Sequence, residues 1–532
     1  MQFDEETCYR AMSSRDARFD GRFFTAVRTT GIYCRPVCPA RTPLRENVEF
    51  HPSAAAAEEA GFRPCRRCRP DAAPGSPEWR GSSALLSRAL RLIHAGALHR
   101  DPREDGPGGT VENLAEKLGL SARHLARLFR EELGASPLAV AQTLRADVAR
   151  ELIDTTGLPM TEVAFGAGYG SLRRFNAAIK QRFGMAPREL RRRARGDRAG
   201  ARRDAAGLCL QLTYRPPLDW DHLLAFLSLR AIPGVEVVQD GTYRRTVRMH
   251  ARPGWIEVRR GQRPHTLELV TDLPAAHGIQ DVAERARVLF DLRADPHTIA
   301  EHLGREPFLR RALLEAPGVR VPGAWDGFEL AVRAIVGQQV TVQGAGTLLG
   351  RLARRCGQVL EDGPAGLEHV FPTPEEIATA DLESLGLTGQ RAQALAALAA
   401  AVLSGELDLE PSADPVQTRA CLLALPGVGT WTADLIVMRG LCDPDAFPAG
   451  DLVLRRVAGA VNSPLDEGEL ERRSQAWSPW RAYAAVLLWR ESSHDPPRQL
   501  DDECSATAAG YAGLSPGKNV PPAQDRSAGA PR

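Results

Sequence analysis

Apolar residues recur along this chain with two periods, and the switch between them marks out its parts. Residues 84–193 carry them three and four positions apart, the spacing of one buried helix face, so this stretch is predicted to be helical. From Leu208 to about Thr271 the pattern becomes alternating or β-branched, in "LCLQLTY", "GTYRRTVRMH", "WIEVRR" and "TLELV", and predicts strands. Long Ala- and Leu-rich helical stretches return from about Ile279 to Trp489. "AAPGSPEWRGSS" and the basic run "ELRRRARGDRAGARR" read as linkers. Residues 496–532, rich in Pro, Gly, Ser and Ala, have little to bury and are expected to be disordered. The segments are therefore 1–73, 84–193, 208–278, 279–495 and 496–532. The fold class is multidomain α+β: a small domain at the start, an all-α domain, a strand-rich α/β subdomain and an all-α core.

The helical segment 84–193 repeats itself. Ala115 and Gly119 return as Ala164 and Gly168, and after one inserted residue Ser121, Leu125, Phe129, Leu133, Gly134 and Pro137 return as Ser171, Phe175, Ile179, Phe183, Gly184 and Pro187. Each unit reads as a helix, a glycine turn, a serine cap and a second helix, which is helix-turn-helix twice. The second helices offer His124, Arg127 and Arg130 in one unit and Arg173, Arg174, Asn176 and Lys180 in the other, placed to meet successive major grooves. A bland helical bundle needs no duplicated turn, cap and basic face. This segment resembles an AraC-type transcription-factor domain, which implies a DNA-binding activator and RNA polymerase as its partner.

Charge sharpens the picture. The net charge of +2 hides an asymmetry: residues 1–200 hold 33 Lys+Arg against 24 Asp+Glu, and the remainder 35 against 42. Nearly all the cations of the basic front part are arginine, whose planar fork suits phosphate and guanine, although solvated surface charge is the plain alternative. No apolar run is long enough for a membrane helix, and the acidic start "MQFDEETCYR" is no signal peptide. Ten cysteines are too few for a disulfide scaffold in such a length, so a reducing cytoplasm, close to the nucleoid, is expected.

Four of those cysteines are spaced for metal. Cys34 and Cys38, then Cys65 and Cys68, form Cys-x3-Cys and Cys-x2-Cys pairs, a strong zinc pattern. A zinc ribbon that only staples the fold would satisfy that spacing. Around the pairs lie Arg35, Arg41, Arg45, Arg63, Arg66, Arg67 and Arg69, expected to draw DNA phosphate. "FTAVRTTGIYCRPVCPAR", "LRENVEF" and "GFRPCRRCRPD" resemble the amino-terminal domain of the Ada alkylation-response family across residues 1–72. The resemblance implies one zinc ion on all four cysteines, with Cys34 also the acceptor of a methyl group from a methyl phosphotriester in DNA. The charge count then supplies a switch: zinc with four thiolates is formally 2−, and methylating one sulfur leaves 1−, worth roughly 1 to 4 kcal/mol beside a phosphate.

The rear half carries a second strong motif, "LLALPGVGTWTADLIVMRG". Gly427 and Gly429, after a proline and between helices, form a hairpin whose backbone N–H groups face a phosphate without side-chain obstruction. Downstream, Asp451 follows Pro448 and Gly450 at a helix head, where an ordinary N-cap is the plain alternative. Hairpin and aspartate together resemble the helix-hairpin-helix DNA glycosylase superfamily. With "PPLDWDHLLAFL", "RAIVGQQVTV", "FPTPEEIATAD" and "WSPWRAYAAVLLW", the match over residues 210–490 is similar to 3-methyladenine DNA glycosylase II. The resemblance implies excision of alkylated purines by Asp451, with Trp431, Trp489 and Phe226 around the flipped base. Trp431 stands where strand-cleaving relatives have lysine, so a monofunctional enzyme is implied. Three departures bear on substrate range: Gln339 replaces the family's wedge leucine, and Leu435 and Leu452 replace pocket tyrosines. Cys356, Cys421 and Cys442 are scattered, so no iron–sulfur cluster is expected, and no Pro-Cys-His-Arg methyltransferase motif occurs. The rival expectation is a regulator whose rear half binds DNA without excising bases.

Overall fold

Pairing of short strands builds the first unit around its cysteines. A computed structural model describes residues 3–70, 84–94, 96–98, 109–196, 208–249, 252–273, 279–459 and 463–492. The expected linker at 74–83, the end of the arginine run and the tail at 496–532 lie outside the described residues. Helix α1 (Glu5–Ser14) starts on Asp4, which accepts from Thr7 N. Strands β1 (Phe24–Val27), β2 (Ile32–Cys34), β3 (Val48–His51) and β4 (Arg63–Pro64) form a sheet in the order β3-β1-β2-β4. Helix α2 (Ala54–Glu59), capped by Ser53, closes it over Phe24, Ala26, Tyr33 and Ala57.

The second unit follows the repeat. Helices α3 (Ala84–His94), α4 (Val111–Lys117), α5 (Ala122–Leu133), α6 (Pro137–Thr155), α7 (Met160–Gly166), α8 (Leu172–Phe183) and α9 (Pro187–Gly196) succeed one another. Gly119 and Gly168 make the two turns in the left-handed region, at φ +67° and +78°. Ser121 and Ser171 cap α5 and α8 by accepting from His124 N and Arg174 N, and Gly134 and Gly184 end them, each at φ +68°. Leu125, Phe129, Phe175 and Ile179 are fully buried.

The third unit is a five-stranded antiparallel sheet of β5 (Leu208–Thr213), β6 (Glu236–Gln239), β7 (Thr242–Met249), β8 (Arg252–Arg260) and β9 (Thr266–Thr271) in the order β5-β9-β8-β7-β6. Helix α10 (Trp220–Leu229) lies between β5 and β6 in sequence and buries Trp220, Leu223, Leu224 and Leu227. Helix α11 (Ile279–Leu289) joins the same core through Ile279, Val282, Ala283, Ala286 and Leu289. The strand-rich unit therefore runs past residue 278, where periodicity placed its end, because α11's apolar face covers the sheet.

Two helical cores complete the chain. One gathers α14 (Gly327–Val336), α15 (Val342–Cys356), α16 (Pro374–Ala378), α17 (Gly389–Leu403), α18 (Pro415–Ala424) and part of α19 (Thr430–Gly440). The other gathers α12 (Pro296–Leu303), α13 (Pro307–Glu315), α20 (Leu452–Ala458), α21 (Glu467–Ser474) and α22 (Arg481–Glu491). Helix α19 serves both, giving Ile436 and Val437 to the first and Met438 to the second. No helix among the described residues is long and apolar enough to cross a membrane.

The units are not beads on a string. Leu152 and Ile153 of α6 share one apolar cluster with Leu210 and Leu212 of β5. Arg88 of α3 donates to Ser412 O at 2.8 Å and pairs with Asp414 at 3.0 Å, and Arg22 of the first unit pairs with the buried Asp295 at 3.2 Å.

Between the sheet and α14 lies a buried ionic cluster. Arg333 pairs with Glu236 and Glu329 at 2.6 Å each, Arg245 pairs with Glu329 at 2.6 Å, and the Tyr243 hydroxyl donates to Glu236 at 2.6 Å. Burial alone would raise the Glu236 carboxyl, but Arg333 and Arg245 bring it down to about 2 from an ordinary 4.5. A lowered folded value contributes stability above the unfolded value and loses it as pH falls through the folded one. Glu236→Gln is therefore expected to cost about 3 kcal/mol at neutral pH, because it leaves buried guanidinium charge uncompensated. Its unfolding free energy, from urea titration, should fall less steeply than the wild type's between about pH 4.5 and 2, the window set by the shift above. Equal pH slopes in the two proteins would show that the cluster is not the source.

Candidate functional site

Strand register explains how distant cysteines meet. The parallel β2–β4 pairing sets Tyr33 opposite Pro64, so the next residues, Cys34 and Cys65, emerge side by side. Cys65 N donates to Tyr33 O at 2.9 Å and fixes that register. Cys38 and Cys68 turn back toward them, and the four sulfurs lie within 4.8 Å of one another. The Arg35 backbone N–H adds a 3.4 Å contact to Cys68 Sγ. Sharing protons within this cluster raises Cys34, first through its hydrogen bond with Cys38, and lowers Cys65, first through its bond with Cys34. The Cys34 contact likewise lowers Cys38 to about 7. Four sulfurs within 4.8 Å of one another are a donor set for one tetrahedral soft cation, and zinc fits. Cys34 and Cys38 are partly exposed, whereas Cys68 is buried.

The surrounding arginines divide into two groups, against the expectation that all seven face DNA. Arg35 is locked on Asp20, with Nε at 2.8 Å, and on Cys68 O. Arg45 pairs with Glu5 and lies over the Tyr9 and Phe50 rings. Arg66 donates to Phe183 O, and Arg69 pairs with Asp154. Arg41, Arg63 and Arg67 are exposed and form no ion pair among the described residues. A carboxylate or carbonyl supplied from elsewhere in the fold decides which group an arginine joins, and spacing in sequence does not report it.

Helices α5 and α8 present polar faces. On α5, His124, Arg127 and Arg130 are exposed, Arg127 only loosely paired with Glu131 at 3.9 Å. On α8, Arg173, Arg174, Asn176 and Lys180 are exposed.

In the rear half, the hairpin between α18 and α19 turns at Gly427, whose φ of +74° no ordinary side chain adopts readily. Val428 is buried beneath it, while Gly427 and Gly429 are exposed. Gly429 is the N-cap of α19 and offers no side-chain acceptor, so the first N–H groups of that helix stay open. A Cβ on Gly429 would meet nothing within 4 Å. Glycine here is not demanded by packing; it leaves room for an outside group to approach. Gln338 ties this hairpin to the α14–α15 turn, donating to Gly427 O at 2.9 Å and to Thr432 Oγ1 at 3.0 Å. Beside it Gln339 is exposed in the left-handed region at φ +53°, the tip of that turn. Gln338 was not singled out by sequence; its side-chain bridge spans residues too far apart for any local pattern.

Asp451 is held by two kinds of donor. Its Oδ1 accepts from Val453 N at 2.9 Å and Leu454 N at 3.0 Å, so it does cap α20. Beyond the cap, Trp431 Nε1 donates to Oδ2 at 2.9 Å and Trp489 Nε1 to Oδ1 at 3.3 Å. The structure thus gathers Asp451, Trp431 and Trp489 from α19, the head of α20 and α22. Leu452 is half exposed beside them, and Leu435 is partly buried on α19. Phe226 stays on α10, where the Arg230 and Arg439 guanidinium groups lie over its ring at 3.8 and 5.0 Å.

Comparison with known proteins adds to this geometry. Four family profiles match in succession: "Metal binding domain of Ada" over residues 7–71, "Helix-turn-helix domain" over 114–193, "AlkA N-terminal domain" over 209–326 and "HhH-GPD superfamily base excision DNA repair protein" over 332–482. A Mycobacterium tuberculosis protein named "Probable bifunctional transcriptional activator/DNA repair enzyme AlkA" is 43% identical over 503 residues, 94% of this chain and 99% of that protein. "DNA-3-methyladenine glycosylase 2" of Escherichia coli is 36% identical over 294 residues, 54% of this chain and 98% of its own length. "Bifunctional transcriptional activator/DNA repair enzyme Ada" of Escherichia coli is 37% identical over 183 residues, covering 34% of this chain and 48% of that protein.

The purified chain is expected to carry one zinc ion per molecule by elemental analysis. Cys65→Ala or Cys68→Ala should remove it, and Cys209→Ala, outside the cluster, should not. Full zinc content in the Cys68→Ala protein would take that sulfur out of the site.

Proposed function

The chain belongs to the family of bifunctional transcriptional activator/DNA repair enzymes AlkA, and we propose that it senses methyl damage in double-stranded DNA, activates repair genes and excises alkylated bases. The observation that carries the enzymatic part is the Asp451 carboxylate, bonded by the indoles of both Trp431 and Trp489.

In the sensing step, the Cys34 sulfur attacks the methyl carbon of a methyl phosphotriester. An S–C bond forms, the C–O bond breaks, and its electron pair stays on the phosphate oxygen, which leaves an ordinary phosphodiester. Cys34, Cys38, Cys65 and Cys68 would hold zinc, which would keep the sulfur available as thiolate at neutral pH. The partial exposure of Cys34 supports its choice over Cys68, which is buried. The thioether product has no route back, so each chain records one event. Loss of one negative charge strengthens DNA binding, and α5 and α8 then read a promoter through Arg127, Arg130, Arg173, Arg174 and Lys180, with Arg41 on the backbone. Arg45, already paired with Glu5, has a weaker claim to that role. As an activator the chain would present RNA polymerase with a DNA-bound surface, and the cytoplasm is where its thiolates stay reduced.

In the excision step, the open hairpin at Gly427 and Gly429 takes a backbone phosphate, and Gln339 at its neighbouring turn fills the space a flipped nucleotide leaves. N-alkylation makes the purine a cationic leaving group. The Asp451 carboxylate faces the sugar as positive charge develops there, and water completes hydrolysis of the N-glycosidic bond. The indole N–H bonds fix which way the carboxylate points. No lysine occupies the Trp431 position, which supports a base-only product. Leu435 and Leu452, apolar where relatives stack tyrosine, favour the second reading to the extent that stacking drives flipping: a DNA-binding regulator without excision.

Incubation with DNA carrying methyl phosphotriesters, followed by peptide mass mapping, is expected to find the methyl group on Cys34; Cys34→Ser should accept none and still excise bases. Methyl on Cys38 would overturn the assignment. Asp451→Asn keeps a cap but drops the charge, and release of 3-methyladenine should fall about 10²–10³-fold with DNA binding retained. Trp431→Phe keeps the ring and deletes the 2.9 Å bond, so the excision rate should drop about tenfold with little change in Kd for an abasic duplex. Wild-type protein that binds alkylated DNA and releases no base would establish the second reading.

A further inference from the structure

The first unit grips both helix-turn-helix repeats at the same point. Ser53 donates its hydroxyl to Leu133 O at 2.6 Å, the last residue of α5. Pro52 and Ala56 crowd the Gly134 cap so closely that a Cβ there would sit 2.9 Å from Pro52 Cγ. At the repeat-equivalent position of α8, Arg66 donates to Phe183 O at 3.3 Å. A Cβ on Gly184 would there meet the Arg63 and Arg66 guanidinium groups at 3.3 and 3.4 Å. Arg182, one residue earlier and 7% exposed, pairs at 2.7 Å with both Glu58 of α2 and Asp147 of α6. Glu58 also accepts from the Tyr33 hydroxyl at 2.6 Å and the Thr143 hydroxyl at 3.0 Å. Arg69, one residue past Cys68 and left-handed at φ +52°, pairs at 2.6 Å with Asp154 near the end of α6. Asp154 is 2% exposed and pairs with Arg150 as well.

We infer that the zinc unit is a two-armed clamp that sets the spacing and angle between recognition helices α5 and α8, with Ser53, Glu58, Arg66 and Arg69 as positioning residues for promoter recognition. The inference rests on the reading that both helices read DNA. Two recognition helices joined only through α6, a 19-residue helix, and the short α7 can each enter a groove. Entering two successive grooves at once requires a fixed offset of about one helical turn of DNA. Contacts at equivalent caps of both helices supply that offset. The arms differ in construction. Ser53 and Glu58 stand on α2, which needs no metal, whereas Arg66 and Arg69 stand on the Cys65–Cys68 loop. Loss of metal therefore loosens the Arg66 and Arg69 contacts and leaves Ser53 on α5 and Glu58 on Arg182 of α8 in place.

The test uses the full chain. Asp154→Asn removes the Arg69 partner away from the cysteines, and Ser53→Ala removes the other arm. Each is expected to weaken binding to the two-half-site promoter about tenfold. Affinity for a duplex bearing the α5 half-site alone, zinc content and base excision should be unchanged. Parallel losses on both duplexes would overturn the clamp. A second measurement needs no DNA: fluorophores carried by unnatural amino acids at positions 123 and 177, both exposed, report the α5–α8 distance by energy transfer. The distribution should be narrow in wild type and broaden in Asp154→Asn and after zinc chelation; an unchanged width would sink the proposal. Wild-type protein with no preference for promoter over random DNA would instead defeat the reading beneath it, and the distance measurement would still judge the clamp.

Discussion

The first N–H groups and the last carbonyls of an α-helix have no partner inside the helix, and where this chain finds partners for them decides where its chemistry sits. Asp451 satisfies the start of α20 and is thereby fixed against two indoles. Gly429 puts no side-chain acceptor on the start of α19, which leaves that exposed helix start to partners from outside the chain. Leu133 and Phe183, the last residues of α5 and α8, give their carbonyls to Ser53 and Arg66, which places the zinc unit. Asp295 caps α12 and meets Arg22 of the first unit, so a helix start also joins the two halves of the chain.

That arrangement ties the halves into one body. The apolar cluster shared by α6 and β5 is a continuous core, and separating it would expose several fully buried leucines and isoleucines, each worth about 1.5–3 kcal/mol. The ion pairs across the same boundary, Arg88–Asp414 and Arg22–Asp295, add orientation more than energy: one is at the surface and the other has bought its geometry by desolvating two charges. A regulator and an enzyme that share a core have a defined placement relative to each other, so DNA held by one half has a limited set of paths past the other.

What could be read from sequence was what sequence keeps local. The repeat of Gly119, Ser121 and Gly134 as Gly168, Ser171 and Gly184 reports turns, caps and helix ends directly, because each residue acts on a backbone within four positions of itself. Cysteine spacing likewise announces a metal-like cluster, since β2 and β4 need only pair in register to close it. The ionic cluster at Glu236 was invisible: its arginines come from β7 and α14, and nothing near Glu236 in sequence hints that it is buried. The same limit misassigned arginines. Arg35, Arg66 and Arg69 look identical to Arg41 and Arg67 in the sequence, and the difference is a carboxylate or carbonyl supplied from elsewhere in the fold. The end of the strand-rich unit was misplaced for a related reason. Periodicity reveals that α11 has an apolar face but not that the sheet is what covers it.

The plain reading of Asp451 as a helix cap and the proposed reading as a catalytic carboxylate are not rivals in this structure, because the group carries bonds beyond the cap: Trp489 also donates to Oδ1, and Trp431 donates to Oδ2. Capping occupies Oδ1 with two backbone N–H groups. It requires no tryptophan, and an ordinary cap at a surface helix start takes its remaining bonds from water. Here Oδ2 is taken by Trp431, an indole whose own helix begins at the open hairpin. The uncapped N–H groups at Gly429 and the indole that bonds the carboxylate therefore belong to one helix start, two residues apart. That is the constraint an excision site needs, since backbone grip and reacting sugar must be positioned from the same element for a flipped nucleotide to arrive within reach of the charge. The cap supplies the orientation, the indoles supply the address, and the hairpin supplies the distance.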